Sequence, residues 1–283
     1  MPLHPGWRPL PAPHPLFRQS LLAAANARHA ATDDEPDINV PLTDPSDKRI
    51  CIIALELSGP ARSGELMDDY VTRLRSIDCC ALSDALDRLH IKGAVTGFPQ
   101  RSGKGRVAGR AVTVKLGVGD PPAGAPRHLG TAAIEASGPD NVIVVEQRTG
   151  VDAGCWGGLL TRGAMARDVA GVIADGPVRD IDEAQDLGFP IFTNKTTCFT
   201  ARGRVVEMGV GLDVQIGSVG VSSGDFVVAD NSGVIVIKPS DVERVLEAAE
   251  DIVRREASMI AAICAHVPIS EVLSGAYDHM LKA

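Results

Sequence analysis

Strand-like and helix-like segments alternate through the middle of this chain, and that alternation constrains the fold more than any other feature. Four short apolar runs are separated by segments in which apolar residues recur with helical spacing. The predicted order is strand Val107–Leu116, helix Arg127–Ala136, strand Asn141–Glu146, helix Leu159–Val169, strand Gly171–Ala174, helix Ile181–Leu187 and strand Pro190–Thr193. Strands that alternate with helices form a mainly parallel sheet covered by helices. The sequence therefore predicts an α/β fold.

The segments on either side of this core have different patterns. Glu65–His90 is predicted to be helical in two pieces, the second starting near Asp78, and a glycine-rich loop follows at Gly93–Gly105. After Val210 the chain has short β-runs broken by turns, ending in a predicted hairpin. A long helix then starts after Asp241, and 270–281 adds a final turn or helix. We expect an α/β domain over 61–240 and a helical segment over 241–283.

The first 60 residues do not continue either pattern. Six prolines punctuate the start, Phe17–Ala31 resembles a short arginine-bearing helix, and Arg49–Leu57 is apolar enough for a strand. No secretory h-region is present. The segment is either an organellar transit peptide or an N-terminal extension that is flexible or packs on a neighbouring subunit. We favour the extension.

Charge and cysteine content exclude several classes of protein. The net charge of -8 disfavours general binding to nucleic acid or to anionic membranes, and no apolar run is long enough to span a bilayer. The six cysteines include no C-x-x-C pair and fit no zinc ribbon or disulfide framework. Reduced thiols favour a reducing compartment, so we expect a cytoplasmic protein.

A glycine pair, Gly157-Gly158, follows the strand Asn141–Glu146 and opens the next helix. Glycine lets the backbone approach a ligand closely, and free N–H groups at a helix start favour an anion such as a carboxylate. The alternative is a tight turn that uses glycine only for its conformational freedom.

A second turn carries Arg179-Asp180, with Glu183 three residues later. Ligands of open α/β sheets gather beyond the carboxyl ends of the strands, where this turn should lie. Arginine binds carboxylates through its fork of donors, and aspartate is a hard oxygen ligand for Mg²⁺. The alternative is a capping box in which Asp180 caps the helix and Glu183 reaches back to the cap. That alternative leaves Arg179 unexplained.

Taken together, these segments resemble the RraA-like family, which includes the regulator of ribonuclease activity A and the class II 4-hydroxy-4-methyl-2-oxoglutarate aldolases. The resemblance rests on the Gly158 to Arg179 spacing, on ADGPVRDIDEAQDLGFPIF, and on three further runs. These are SDALDRL at Ser83–Leu89, GRAVTVK at Gly109–Lys115 and GDFVVADNSGVIVI at Gly224–Ile237. The matches extend over roughly residues 70 to 240. The resemblance implies an α/β/β sandwich that assembles as trimers or hexamers with sites at subunit interfaces.

The resemblance also implies roles for individual residues. Arg179 would bind the 2-oxo acid, Asp180 would carry Mg²⁺ or Mn²⁺, and Glu183 would complete the motif. The amides of the glycine turn would hold the substrate carboxylate, which implies a binding segment of Gly157, Gly158, Leu159, Leu160 and Thr161.

One position departs from the best-studied aldolases, which carry Asp where this chain has Gly158. The chain therefore has the form Gly-x20-Arg-Asp-x2-Glu, and the proton-transfer group is open. A water held by Glu183 is our hypothesis. Those aldolases also use a Glu from a neighbouring subunit, for which Glu256 is a candidate by position.

The resulting hypothesis is a metal-dependent lyase that cleaves a 4-hydroxy-2-oxo acid to pyruvate and a carbonyl product, with oxaloacetate decarboxylation as a related reaction. The alternative is a non-catalytic regulator that binds an RNA-degrading enzyme. Lys195 could form a Schiff base and Cys155 could be a reactive thiol, but we favour a solvated loop lysine and a packed thiol. His90 and His128 have no assigned role.

Overall fold

The computed structural model of the chain describes residues 66–123 and 128–273. The predicted N-terminal extension, with its helix Phe17–Ala31 and strand Arg49–Leu57, lies outside the described residues. The domain boundary near residue 60 and the end of the C-terminal segment, 274–283, also lie outside them.

Seven helices and eleven strands make up these described ranges. The helices are α1 Leu66–Ser76, α2 Cys79–Arg88, α3 Thr131–Glu135, α4 Gly158–Met165, α5 Ile181–Leu187, α6 Val242–Cys264 and α7 Ile269–Val272. The strands are β1 Ala94–Val95, β2 Gln100–Ser102, β3 Val107–Gly117, β4 Asn141–Glu146, β5 Gly171–Val178, β6 Ile191–Thr196, β7 Val206–Val210, β8 Val214–Ile216, β9 Val219–Val221, β10 Phe226–Ala229 and β11 Val234–Ile237.

Nine of these strands form one sheet with the order β1-β11-β10-β3-β4-β5-β6-β2, and β7 pairs with the end of β3. The central strands β3, β4, β5 and β6 are parallel, and the remaining pairs are antiparallel. The predicted strand-helix alternation produced this parallel centre, and the predicted β10–β11 hairpin is present. The α/β prediction is confirmed.

The two faces of the sheet are covered differently. Ile143 and Val145 of β4 pack among α3, α4 and α5, whereas Val142 and Val144 pack on the opposite face against the β8–β9 hairpin. This period of two buries both faces of a strand, as a parallel sheet requires. The layers are therefore helices, large sheet and small sheet, which is the predicted α/β/β sandwich.

The long helix α6 anchors the other end of the molecule. Its buried stripe, including Val245, Leu246 and Ala249, packs with α1 and α2 on β10 and β11. Beyond Ile252 most of its side chains are exposed. None of the helices in the described ranges combines the length and apolarity that a bilayer crossing needs.

Some predicted boundaries were wrong for physical reasons. The strand predicted to end at Ala174 continues to Val178, because a bulge between Ala174 and Pro177 accommodates the proline without ending the pairing to β6. The helix predicted to reach Val169 ends at Met165, where Asp168 adopts a left-handed conformation and the Val169 N–H bonds back to Ala164 O. The helix predicted from Arg127 begins at Thr131. The Gly93–Gly105 loop contains two short strands, β1 and β2.

Candidate functional site

The glycine turn and the Arg-Asp turn lie side by side because the chain before α4 runs along the end of β5. Cys155 N donates to Pro177 O at 2.7 Å, and Arg179 N donates to Trp156 O at 3.0 Å. These bonds extend the sheet by one isolated bridge between Trp156 and Val178. The extension of β5 through its proline is therefore what brings the two predicted segments together.

The side chain of Arg179 crosses directly over two glycines. A Cβ at Gly154 would lie 3.1 Å from Arg179 Cγ, and one at Gly157 would lie 3.0 Å from the same atom. The Gly157 Cβ would also lie 2.9 Å from Asp180 Oδ2. Gly157 has an extended backbone. Here the turn requires glycine because of the space that Arg179 and Asp180 occupy.

Asp180 occupies the N-cap position of α5 in a left-handed conformation, with φ 57° and ψ 38°. Its side chain makes no capping hydrogen bond. Instead Oδ2 accepts from Gly158 N at 2.9 Å, and Arg179 Nε lies 3.2 Å from each carboxylate oxygen. The capping-box interpretation is therefore wrong. A left-handed backbone is uncommon for a residue other than glycine, and aspartate is among the residues that adopt it most readily.

Glu183 does not reach back to the cap either. Its Oε1 accepts from Arg162 Nε at 2.7 Å, while Oε2 occupies the space where a Cβ would stand at Gly158. The absence of a side chain at Gly158 thus makes room for the carboxylate of Glu183. The sequence hypothesis missed Arg162. Its position one helical turn after Gly158 was the signal that could have identified it.

The start of α4 presents two free backbone donors. Gly158 N is bonded to Asp180, and Thr161 N donates to Gly157 O at 3.0 Å, so within the described residues Leu159 and Leu160 have the unbonded N–H groups. Thr161 is buried, and its hydroxyl accepts from Trp156 Nε1 at 3.0 Å. The Leu159 side chain is 85% exposed, so any ligand contact from this residue comes through its backbone.

Most of these residues line one cavity of about 830 Å³, but Arg162 and the predicted substrate-binding residue Thr161 are outside its wall. Its wall includes Gly157, Gly158, Leu159, Leu160, Arg179, Asp180 and Glu183, together with His128 and Arg202, which the sequence did not assign. Arg202 is exposed, and its guanidinium makes no hydrogen bond or ion pair with the described residues. Glu207, which accepts a hydrogen bond from Gly130 N, also lines the cavity, so the wall contains three carboxylates, two arginines and two free amides.

The other candidate residues from the sequence either lie outside the cavity wall or are unreactive. Lys195 pairs with Asp152 at 3.2 Å and is outside the cavity wall. Burial raises the pKa of Cys155 to about 12, which keeps it a thiol, as the packed alternative predicted. Glu256 does not line the cavity of its own chain. Burial and the nearby carboxylates of Asp78 and Asp84 raise its pKa.

Comparison with known proteins fits this architecture. A family model described as RraA-like, Aldolase/RraA, matches residues 79–236, which is more than half of the chain. The chain belongs to the RraA-like family. This family includes both aldolases and ribonuclease inhibitors, and the match contains every residue of the cavity wall named above.

Individual relatives of this chain have different names and lengths. A Halalkalibacterium halodurans protein, provisionally named 4-hydroxy-4-methyl-2-oxoglutarate aldolase, is 31% identical over 186 residues, covering 64% of this chain and 82% of the relative. Protein DlpA of Legionella pneumophila is 27% identical over 177 residues, but the match spans 62% of this chain and only 28% of DlpA.

A solved structure, RraAS2 of Streptomyces coelicolor, superimposes with a TM-score of 0.58 at 26% identity and covers 66% of this chain and 93% of RraAS2. It is described as an unusual member of the RNase ES inhibitor RraA protein family.

Proposed function

We propose that this protein is a divalent-metal-dependent lyase that cleaves a small 4-hydroxy-2-oxo acid to pyruvate and a carbonyl product. One observation carries the proposal. Asp180, Glu183, Arg179 and the free amides of α4 converge on a single cavity, although they come from two separate turns. The aldolase branch of the family and the provisional name of the Halalkalibacterium relative support the same chemistry.

The donors in this cavity suit Mg²⁺ or Mn²⁺. The described residues contain no cluster of three or more His, Cys, Asp or Glu that could hold an ion, so a site built from protein ligands alone, as zinc prefers, does not fit. Mg²⁺ needs only one or two carboxylates when water and substrate oxygens complete its shell. Asp180 would hold it, and a bound Mg²⁺ supplies positive charge next to the 2-oxo group.

The chain's own residues account for the remaining steps. The free amides of Leu159 and Leu160 bind the substrate carboxylate at the start of α4. Arg179 donates to the 2-oxo oxygen, where negative charge develops as the C3–C4 bond breaks and pyruvate enolate forms. Glu183 takes the proton of the 4-hydroxyl group through a water, and that proton returns to C3. Decarboxylation of oxaloacetate forms the same enolate, so this site supports it as a second reaction.

The test is pyruvate release from a panel of 4-hydroxy-2-oxo acids and from oxaloacetate, with Mg²⁺ and with EDTA. We expect release that depends on the metal and falls at least about 100-fold in Arg179→Ala, because a charge-stabilising donor is lost. Arg244→Ala, on the exposed side of α6, is the matched control and should retain full activity. Release that survives EDTA, or that is unchanged in Arg179→Ala, contradicts the proposal.

A second candidate is a non-catalytic regulator that binds an RNA-degrading enzyme. Similarity to RraAS2 supports it, and a net charge of -8 suits a basic partner surface. The two candidates separate at Asp180, because a regulator keeps its partner when Asp180→Asn removes the metal ligand. Capture of a ribonuclease by both wild type and this variant, without pyruvate release by wild type, favours the regulator.

A homotrimer or hexamer is part of the same proposal. In such an assembly Glu256, on the exposed half of α6, would lie close to a neighbouring subunit's cavity. The oligomeric mass in solution tests the assembly, and the activity of Glu256→Gln tests the contribution of Glu256.

A further inference from the structure

A second cavity, of about 680 Å³, lies at the edge of the large sheet and shares no residue with the first. Its wall consists of Gln100, Arg101, Ser102, Gly103, Lys104, Gly105, Gln185, Gly188 and Asn231. This wall contains two cations, three side-chain amides and no carboxylate. The wall of this cavity is therefore positively charged, although the protein as a whole has a net charge of -8.

Both cations are available to a ligand. Arg101 and Lys104 are exposed, and their side chains make no hydrogen bond or ion pair within the part of the chain that the structure describes. The Arg101 backbone is fixed, because its carbonyl accepts from Gln185 Nε2 at 2.8 Å. Arg101 therefore extends from a segment that a hydrogen bond to α5 holds in place, and Lys104 extends from the loop between β2 and β3.

The loop between them has a shape that only glycine provides. Gly103 and Gly105 both have positive φ, 72° and 80°. A Cβ at Gly103 would also lie 2.6 Å from Pro190 Cα, so the loop is pressed against the chain that enters β6. Glycine loops of this kind turn successive N–H groups toward one side and form anion-binding concavities.

One buried donor of the cavity wall has no partner. Within the described residues, the amide nitrogen Nε2 of Gln100 is buried and makes no hydrogen bond. Arg106 Nε at the other end of the loop also lacks a hydrogen bond, but it lies 3.7 Å from Asp230 Oδ2 and Arg106 is outside the cavity wall. Buried polar groups normally find a partner, so the unpaired donor of Gln100 indicates that an acceptor belongs in this cavity.

We propose that this cavity binds a phosphate-type oxyanion, as the phosphate group of a small molecule. A phosphate offers several acceptor oxygens and up to two negative charges, which matches the two cations and the side-chain amides that line this cavity. A carboxylate has fewer acceptor atoms and leaves more of these donors unmet. The net charge of -8 disfavours a nucleic acid strand as the source of the phosphate.

Calorimetry on the full-length chain at low ionic strength tests the proposal, with inorganic phosphate, pyrophosphate and acetate as probes. We expect saturable binding of phosphate and pyrophosphate at one site per chain, and weaker binding of acetate. Lys104→Gln and Arg101→Gln should each weaken phosphate binding about tenfold, because each removes a charge-assisted hydrogen bond. Lys92→Gln, an exposed lysine outside the cavity wall, is the control of equal charge and should change affinity less than about twofold.

A stability measurement provides a second test that does not depend on a charged residue. Gln100→Met removes a buried donor that has no partner, so without phosphate its melting temperature should equal or exceed that of wild type. The rise in melting temperature on adding phosphate should be smaller than in wild type. Absence of saturable binding to wild type overturns the proposal. So does binding that Arg179→Ala removes and Lys104→Gln does not, or binding of an RNA oligonucleotide without binding of phosphate.

Discussion

The carboxylate of Glu183 occupies the space that a Cβ would take at Gly158. An acidic side chain at position 158 and the observed position of Glu183 therefore exclude each other. The resemblance to the aldolases implies Asp at the position of Gly158, whereas this chain places a carboxylate close to that position from a different helix. Because the overlapping atom is the end of a flexible side chain, a substitution at Gly158 displaces Glu183 without unfolding the turn.

This relationship predicts the outcome of an exchange of carboxylates. Glu183→Ala should lower pyruvate release about 100-fold, as expected when a general base is lost. Gly158→Asp combined with Glu183→Ala should recover part of that loss, because the new carboxylate enters the vacated space. Steady-state kinetics with one substrate measure all three proteins.

The control is Gly158→Ala, which displaces Glu183 and supplies no carboxylate. It should be as impaired as Glu183→Ala. An exchange variant that is no more active than Gly158→Ala contradicts the proposed role of Glu183.

Substitution by alanine should have opposite effects at Gly157 and at Gly163, which lie in the same region. A Cβ at Gly157 would lie 2.9 Å from Asp180 Oδ2 and 3.0 Å from Arg179 Cγ, so Gly157→Ala should shift both groups and lower activity about 10- to 100-fold. At Gly163, inside α4, the nearest atom to a Cβ is Ile134 Cδ1 at 3.5 Å, which is ordinary contact. Gly163→Ala should leave activity intact and stabilise the protein by about 0.5–1 kcal/mol. Thermal unfolding and kinetics on both variants decide the point.

The strands and helices of the core were predictable because their periodicity reports burial directly. β4, α5 and the β10–β11 hairpin have the predicted bounds. The end of β5 was not predictable in this way. Gly176-Pro177 is typical of a turn, but pairing with β6, contact with Gln147 and the hydrogen bond from Cys155 N hold it in a bulged strand.

The candidate site was partly predictable for a related reason. Arg179, Asp180 and the glycine pair stand out locally, and parallel topology brings them together. The left-handed backbone of Asp180 and the Arg162–Glu183 pair depend on packing between α4 and α5, which local sequence does not reveal. The roles of these residues stay predictions.

Substitutions at Asp180 can separate the effect of its negative charge from the effect of its left-handed backbone. Asparagine tolerates a left-handed conformation and keeps an oxygen that can accept from Gly158 N. Asp180→Asn should therefore keep the melting temperature of wild type within a few degrees, while metal-dependent pyruvate release falls at least about 100-fold. Asp180→Ala should lose the same activity and also lose about 1 kcal/mol of stability, because alanine is strained there and leaves Gly158 N unbonded. Full activity in Asp180→Asn rules out a metal ligand at this position.

Glu256→Gln should raise the stability of the protein and, if Glu256 serves a neighbouring site, lower its activity. Burial, and then the carboxylates of Asp78 and Asp84, raise its pKa, so the ionised form weakens the fold. That penalty is complete above the raised pKa and disappears once the carboxyl is protonated in both folded and unfolded chains, near pH 4. Glu256→Gln should therefore melt at a higher temperature than wild type at pH 7, and the difference should fade as the pH falls toward about 4.

Glu247→Gln is the control, since Glu247 is exposed on the same helix and makes no hydrogen bond or ion pair with the described residues. It should show no such pH-dependent gain. A site that uses Glu256 from a neighbouring subunit also requires Glu256→Gln to lose pyruvate release while it gains stability, because functional groups are retained at a cost to the fold. If Glu256→Gln is stabilised and fully active, Glu256 contributes no carboxylate to the neighbouring cavity. If Glu256→Gln is not stabilised at pH 7, the ionised Glu256 carboxylate does not weaken the fold.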